Sequence, residues 1–224
     1  MKFANAMFCA TMISLAAAGS GWGQSADLFT RAIPESANVA AQESLDTFKD
    51  LVSQGAYRDY DFDSASSVDR IALGQPLNDA MIGLDQLANW DGANPNDLIR
   101  PTGRVVFPIT SDGQAHSSVT LASKDGKWVA VAFGGVREAQ ARFAAQGRMM
   151  RERAVGGAAP LVSQVRIPAL NLQFLARFDN GQLFLTPLDQ HLELGLEAGR
   201  EERADLVLRR AQQAASQRNP DVPD

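Results

Sequence analysis

The stretch that decides the fold is residues 104–133, which read RVVFPITSDGQAHSSVTLASKDGKWVAVAF. Apolar and polar residues alternate through it with the period of two that a half-buried strand requires. The turn sequences SDGQ at 111–114 and KDGK at 124–127 interrupt this alternation. Asp-Gly between alternating apolar runs is the strongest short-range hairpin signal. The stretch therefore predicts an antiparallel meander of three strands, at residues 104–110, 117–123 and 128–133.

A second hairpin is predicted towards the C-terminus. Residues 161–168 and 170–178 read as strands, and the turn sequence DNGQ at 179–182 leads into a further strand at 183–188. The two halves, about 35–135 and 136–216, thus each contain an (Asp/Asn)-Gly-Gln turn, which raises the hypothesis of a duplicated hairpin–helix unit. Because such turns recur wherever hairpins occur, independent recurrence is the preferred interpretation.

Apolar periodicity predicts helices at residues 35–54, 136–153 and about 198–217. For the first helix the expected buried side chains are Val39, Leu45, Phe48, Leu51 and Val52. For the second they are Ala139, Phe143, Met150 and Ala154. For the third they are Ala204, Val207, Leu208, Ala211 and Ala215.

The region between the first helix and the meander has several short patterns, one of which fits two secondary structures. Residues 57–62 and 67–73 alternate like strands, the first of them like an edge strand. Residues 77–90 fit either one helix or a short strand followed by a helical turn, and residues 91–101 read as a loop. Since helices and runs of strands do not alternate strictly, the expected class is α+β: a mainly antiparallel sheet of hairpins with N-terminal, middle and C-terminal helices.

The N-terminus has the pattern of a secretory signal peptide. Lys2 is followed by a mainly apolar segment at residues 3–18 and by small residues at 19–23. Gly21 and Gly23 suit cleavage before Gln24, with cleavage after Ala18 as an alternative. An uncleaved anchor is disfavoured because a bilayer span needs about 20 mainly apolar residues. The prediction is a cleaved signal at residues 1–23, a single domain at 24–216 and a flexible tail at 217–224.

Composition narrows location and chemistry further. Arg and Ala are abundant, as in GC-rich bacteria, so we expect a periplasmic protein, with secretion as the alternative. The single cysteine, Cys9, lies in the signal segment, so the mature chain has no disulfide, thiolate nucleophile or Cys-bound metal. The net charge of −5 argues against nucleic acid as a partner. No later apolar run is long enough to span a membrane, and no motif for a cofactor is present.

The middle helix is rich in arginine, and this suggests a surface for an anionic partner. Arg137, Arg142 and Arg148 are the candidate binding residues, although such a run more often marks a solvated face. Trp90 precedes a loop and is the candidate for a partly exposed binding aromatic. Trp128 lies within a predicted strand and is assigned to the core.

Three further clusters contain residue types that can bind a metal or take part in catalysis. If residues 189–193 are extended, Asp189, His191 and Glu193 share one face and form a weak metal candidate, without the spacing of a known metal motif. The segment DYDFD at 59–63 resembles the start of a calcium loop but lacks its glycine and its final glutamate, so an edge strand is favoured. His116 is expected to be a solvent-exposed turn residue, because the adjacent Ser117 would point to the opposite face.

The functional expectation is a non-enzymatic binding or protein-interaction protein of the cell envelope. Its partner is expected to be a protein or peptide, bound through sheet edges, hairpin tips or the arginine-rich helix. The first alternative is a hydrolase whose carboxylates converge only in the fold, with Asp112 or Asp189 as one of the pair. The second alternative is a carrier of a small molecule or a metal.

Overall fold

The computed structural model describes residues 32–62, 64–153 and 162–217, without the side chains of residues 65–67, 152 and 153. The predicted signal peptide at 1–23, residues 218–224 of the predicted tail and Ala154 therefore lie outside the described residues. None of the helices within these ranges is long and apolar enough to cross a membrane.

A single sheet organises the described part of the chain. Its nine strands follow the order β5-β4-β3-β2-β6-β7-β8-β9, with β1 pairing beside β2 on β3. The β2–β6 pair is parallel and every other pair is antiparallel. The strands are β1 (Ala72–Leu73), β2 (Leu77–Met81), β3 (Arg100–Ser111), β4 (Gln114–Lys124), β5 (Lys127–Gly134), β6 (Val162–Ile167), β7 (Leu172–Asp179), β8 (Gln182–Pro187) and β9 (Glu202–Arg203).

The α-helices confirm the predicted α+β class with N-terminal, middle and C-terminal helices. They are α1 (Glu35–Ser53), α2 (Leu84–Ala88), α3 (Val136–Arg153) and α4 (Ala204–Gln217). Short 3-10 helices occupy Ala56–Tyr60, Ala65–Arg70, Pro95–Leu98, Pro168–Leu170 and Leu192–Leu194. Residues 77–90 follow the second of their two predicted alternatives, a strand and then one helical turn.

The predicted hairpin turns have the expected backbone. Asp112 and Gly113 have φ values of 51° and 77°, and Asn180 and Gly181 have 49° and 78°. Two consecutive residues with positive φ match a type I′ turn, whose twist continues that of the flanking strands. Asp and Asn tolerate the first of these positions and glycine the second, so the turn sequences set the strand register.

The helices lie on both faces of the sheet. α1 packs on Val105 and Phe107 of β3, whereas α4 packs in one cluster with Val165 and Phe174 of β6 and β7. Strand register places these side chains on the same face, since Asn78 lies opposite both Val105 and Ser163. α3 packs on the other face. The two hairpin–helix units therefore place their helices, α3 and α4, on opposite faces of the sheet.

Two strand predictions ahead of the meander are wrong. Residues 56–60 form a 3-10 helix, and Asp61 turns the chain with a left-handed φ of 58°. The aromatic side chains that alternate here cluster around α1, where the rings of Tyr60 and Phe48 lie 4.7 Å apart. Residues 65–70 form a second 3-10 helix, so only Ala72–Leu73 of the predicted strand at 67–73 joins the sheet. The alternating side chains in these segments pack into the core beside α1 without forming a strand.

The predicted helical faces are correct to different degrees. All five expected side chains of α4 are buried, although the helix begins at Ala204 rather than near residue 198. α1 buries Leu45, Phe48 and Val52 as predicted, but Val39 and Leu51 are exposed, because the buried face is completed by small side chains. These are Ala37, Ala40, Ala41 and Ser44.

Two leucines of α1 test this orientation of the helix. Leu45 is 2% exposed and Leu51 is 41% exposed. We expect Leu45→Ala to lower the free energy of unfolding by about 2–5 kcal/mol, because it leaves a cavity in the core. Leu51→Ala serves as the matched control and should cost about 0.5 kcal/mol or less. Urea unfolding measures both, and equal losses would contradict the observed orientation.

Candidate functional site

The edge strand β5 is the most accessible apolar element of the sheet. It is eight residues long, ends the strand order and pairs only with β4 among the described strands. From Trp128 to Gly134 it carries no charged residue. Val129 and Val131 are 38% and 50% exposed, and Ala130 and Ala132 are exposed as well. An edge of this kind presents unpaired backbone groups to any extended chain that reaches it.

One face of β5 is anchored in the core. Trp128 and Phe133 are partly buried against α1, and the rings of Phe133 and Phe48 lie 5.6 Å apart. The register of β4 and β5 shifts between Thr120 and Leu121, which leaves Val131 as the extra residue of a bulge. Trp128 and Phe133 thus anchor the strand in the core, while Val129 and Val131 remain exposed.

The opposite edge of the sheet, strand β9, differs from β5 in length, charge and side-chain pairing. β9 has two residues, and both are charged. Glu202 accepts a hydrogen bond from Arg210 at 2.7 Å, and Arg203 pairs with Asp205 at 2.9 Å. Short strands and charged side chains are common protections against pairing with a foreign strand. Only the β5 edge of the described sheet is therefore suited to accept one.

The structure separates the three candidate arginines of α3. Arg137 is almost fully exposed and lies 4.0 Å from Asp189. Arg148 is exposed, and its guanidinium lies against Gly199. Arg142 is only 4% exposed and packs against the sheet. The expected solvated face is therefore wrong for Arg142, and the three side chains do not form one surface.

The face of α3 that contacts the sheet also differs from the prediction. Ala139 is buried as predicted, but Phe143 and Met150 are only partly buried. The other buried residues of α3 are Arg142, Ala145, Gln146 and Met149. The strands under α3 contribute polar groups, among them Ser118 and Gln164. The side of α3 that carries Arg142 and Gln146 fits this polar surface. Apolar periodicity alone does not identify a polar side as the one that contacts the sheet.

Trp90 belongs to the core and is not an exposed binding aromatic. It is 9% exposed and belongs to the apolar cluster under α4. Gln212 donates a hydrogen bond to its carbonyl oxygen at 2.6 Å, and the guanidinium of Arg209 lies 5.7 Å from its ring centre. Helix α4 covers the loop after Trp90. Because α4 is distant in the sequence, the residues around Trp90 do not reveal this contact.

The weak metal candidate is not assembled. Residues 192–194 form a 3-10 helix, so the extended geometry that would align Asp189, His191 and Glu193 is absent. His191 Nδ1 lies 3.8 Å from Glu193 Oε1, while Asp189 faces Arg137. Within residues 32–62, 64–153 and 162–217, no group of three or more His, Cys, Asp or Glu side chains is placed to hold a metal ion.

His116 is buried rather than exposed. It is 8% exposed, its ring stacks on Phe62 with centres 4.1 Å apart, and Nδ1 lies 3.0 Å from the carbonyl oxygen of Tyr60. Tyr60 and Phe62 belong to the segment that resembles the start of a calcium loop, and they hold the ring of His116 in place. Asp112, a candidate acid for the hydrolase alternative, forms an exposed ion pair with Arg70 at 2.8 Å.

A buried ion pair joins the two halves of the sheet. Arg166 of β6 donates to both carboxylate oxygens of Asp79 of β2, at 3.0 and 2.7 Å, and Asp79 is 2% exposed. Thr102 donates a third hydrogen bond to this carboxylate at 2.8 Å. The bond to Asp79 raises the pKa of Arg166. Bidentate pairing with a further donor satisfies a buried carboxylate well.

A small cleft of about 210 Å³ lies at the end of the β7–β8 hairpin and the N-terminus of α4. Its charged lining residues are Arg203 and Asp205, which pair with each other. Pockets for small molecules usually measure about 300–1,000 Å³ and have an apolar lining. The cleft therefore gives little support to the small-molecule carrier alternative.

Comparison with known protein families, curated proteins and solved structures finds no match for this chain. The sequence contained the apolar segment of β5 but did not show that it ends the sheet, so Val129 and Val131 were missed. A neutral apolar strand between a lysine turn and a Gly-Gly pair was the only local signal.

The ion pair of Asp79 can be compared with an exposed pair of the same residue types. We expect Asp79→Asn to lower the free energy of unfolding by about 3 kcal/mol, because it leaves Arg166 partly buried without a counter-charge. Asp112→Asn removes the exposed partner of Arg70 and should cost less than about 1 kcal/mol. Chemical denaturation of the two variants provides the comparison. Similar losses would show that Asp79 does not join the halves as described.

Proposed function

We propose that the protein is a non-enzymatic, periplasmic binding protein whose β5 edge adds an extended segment of another envelope protein to its sheet. The observation that carries this proposal is the asymmetry of the two sheet edges. β9 is short, charged and occupied by ion pairs, whereas β5 is longer, carries no charge from Trp128 to Gly134 and is accessible. Addition of a strand supplies affinity through backbone hydrogen bonds and specificity through alternate side chains.

The properties of β5 define the chemistry of the partner segment. Val129 and Val131 favour a segment with exposed apolar or β-branched side chains, which pair well across neighbouring strands. Lys124 and Lys127 lie opposite each other at one end of the β4–β5 hairpin, and both are exposed. These two cations favour an acidic residue at the adjoining end of the partner segment.

The periplasmic location is supported by the N-terminal sequence, where Lys2 precedes an apolar run and small residues. The non-enzymatic character is supported by the environment of the candidate acids. Asp112 pairs with Arg70 at 2.8 Å, and Asp189 lies 4.0 Å from Arg137. A hydrolytic pair needs one carboxylic acid with a raised pKa, whereas a neighbouring cation favours the ionised carboxylate.

The proposal is tested by placing a charge on the edge. Val129 and Val131 are exposed, so the double variant Val129→Lys with Val131→Lys should fold normally while it blocks strand addition. Photo-crosslinking through the exposed positions 130 or 132 in cells should yield a discrete adduct with one envelope protein. We expect the double variant to lose this adduct and to weaken binding of the identified partner peptide by at least about tenfold.

Leu206→Lys is the matched control, because Leu206 of α4 is 50% exposed, as is Val131. This variant should retain the adduct and the affinity. Amide hydrogen exchange should slow in β5 and not in β9 when the partner peptide is added. An adduct that survives in the double variant, or one that consists of two copies of this chain, would overturn the proposal.

A further inference from the structure

The layer between α3 and the sheet contains a buried cation, Arg142. The side chain is 4% exposed, and its Nη1 donates to the hydroxyl of Ser118 at 3.3 Å. Ser118 is itself only 2% exposed. The Nε of Arg142 has no hydrogen-bond partner among the described residues. Burial of a guanidinium is costly unless an anion or several acceptors compensate its charge.

The acids nearest to Arg142 are engaged elsewhere. Asp79 is occupied by Arg166 and Thr102, which together supply three hydrogen bonds. Glu138 lies one turn earlier on α3, but its side chain is exposed and accepts a hydrogen bond from Gln173 at 3.3 Å. Burial lowers the pKa of Arg142 more than Glu138 and Asp79 raise it. The local charges therefore leave this guanidinium incompletely compensated.

A second polar atom without a partner lies in the same layer. Gln164 is opposite Asp79 in the β2–β6 register, is 4% exposed, and has no hydrogen-bond partner for its Oε1 among the described residues. Gln146, one helical turn after Arg142, is also 4% exposed, but its Nε2 donates to the carbonyl oxygen of Gln75 at 3.3 Å. Unpaired buried polar groups in a native structure usually indicate a bound water or ion. An amide can rotate to present its N–H₂ to an anion.

We propose that the layer between α3 and the sheet binds a small oxyanion, a carboxylate or phosphate group, with Arg142 as its cation and the Ser118 hydroxyl as a neighbouring donor. A planar guanidinium matches two oxygens of such a group, and a charge-assisted bond to Nε would satisfy the unpaired donor. This site lies beneath α3 and is separate from the proposed strand addition at β5. It gives the binding protein a second ligand of different chemistry.

The test is thermal unfolding of the protein in phosphate, acetate or chloride at equal ionic strength. We expect phosphate or acetate to raise Tm by about 5 °C at an anion concentration of about 100 times Kd, because only the folded state contains the site. The comparison of the two oxyanions distinguishes a phosphate from a carboxylate ligand. An equal effect of chloride would overturn the proposal, as would the absence of a rise that grows with the logarithm of the concentration of either oxyanion.

Variants assign the effect to Arg142. Arg142→Met should abolish the oxyanion-specific rise in Tm, whereas Arg137→Met, which alters an almost fully exposed arginine of the same helix, should retain it. Ser118→Ala provides a second variant in case Arg142→Met does not fold. It should raise the anion concentration at the midpoint of the titration by about tenfold. Equilibrium dialysis with labelled phosphate gives a direct measure of binding. An unchanged anion response in Arg142→Met or in Ser118→Ala would contradict the assignment.

Discussion

The parallel pairing of β2 with β6 is the interaction on which the rest of the structure depends. It joins the meander that contains β3, β4 and β5 to the hairpin of β7 and β8. Without this pair the chain would present two smaller sheets with additional exposed edges. Asp79 and Arg166 lock the junction with a buried bidentate ion pair, and Thr102 adds a donor from β3. A polar interaction thus specifies the register at the centre of the sheet.

The junction also determines which parts of the molecule remain accessible. Since β2 and β6 occupy the middle of the sheet, β5 and β9 become its ends. At one end, β9 is too short and too occupied by ion pairs to accept a further strand. At the other end, β5 retains an accessible apolar edge. Neutral apolar edges favour association, and natural proteins usually protect those that have no partner. The proposed addition of a strand at β5 gives this exception a functional reason.

The opposite face of the sheet shows a second departure from a simple core. α1 and α4 cover one face mainly with apolar side chains, while α3 contributes Arg142 and Gln146 along with Ala145 and Met149. Polar groups buried at this depth reduce stability unless they are satisfied. Gln146 is satisfied by the carbonyl oxygen of Gln75, whereas the Nε of Arg142 has no partner among the described residues, which supports the proposed oxyanion site.

The sequence by itself determined the local elements: the hairpins, because Asp-Gly and Asn-Gly permit consecutive positive φ values, and the buried face of α4, because its apolar residues recur at helical spacing. From these the α+β class followed. Only the tertiary structure decided the order of the strands, the 3-10 helices at 56–60 and 65–70, the burial of Trp90 and His116, and the polar contact face of α3. These features depend on contacts between residues far apart in the chain, such as Trp90 with Gln212 or His116 with Tyr60. Local periodicity records how much of a side chain is buried but does not record which element buries it.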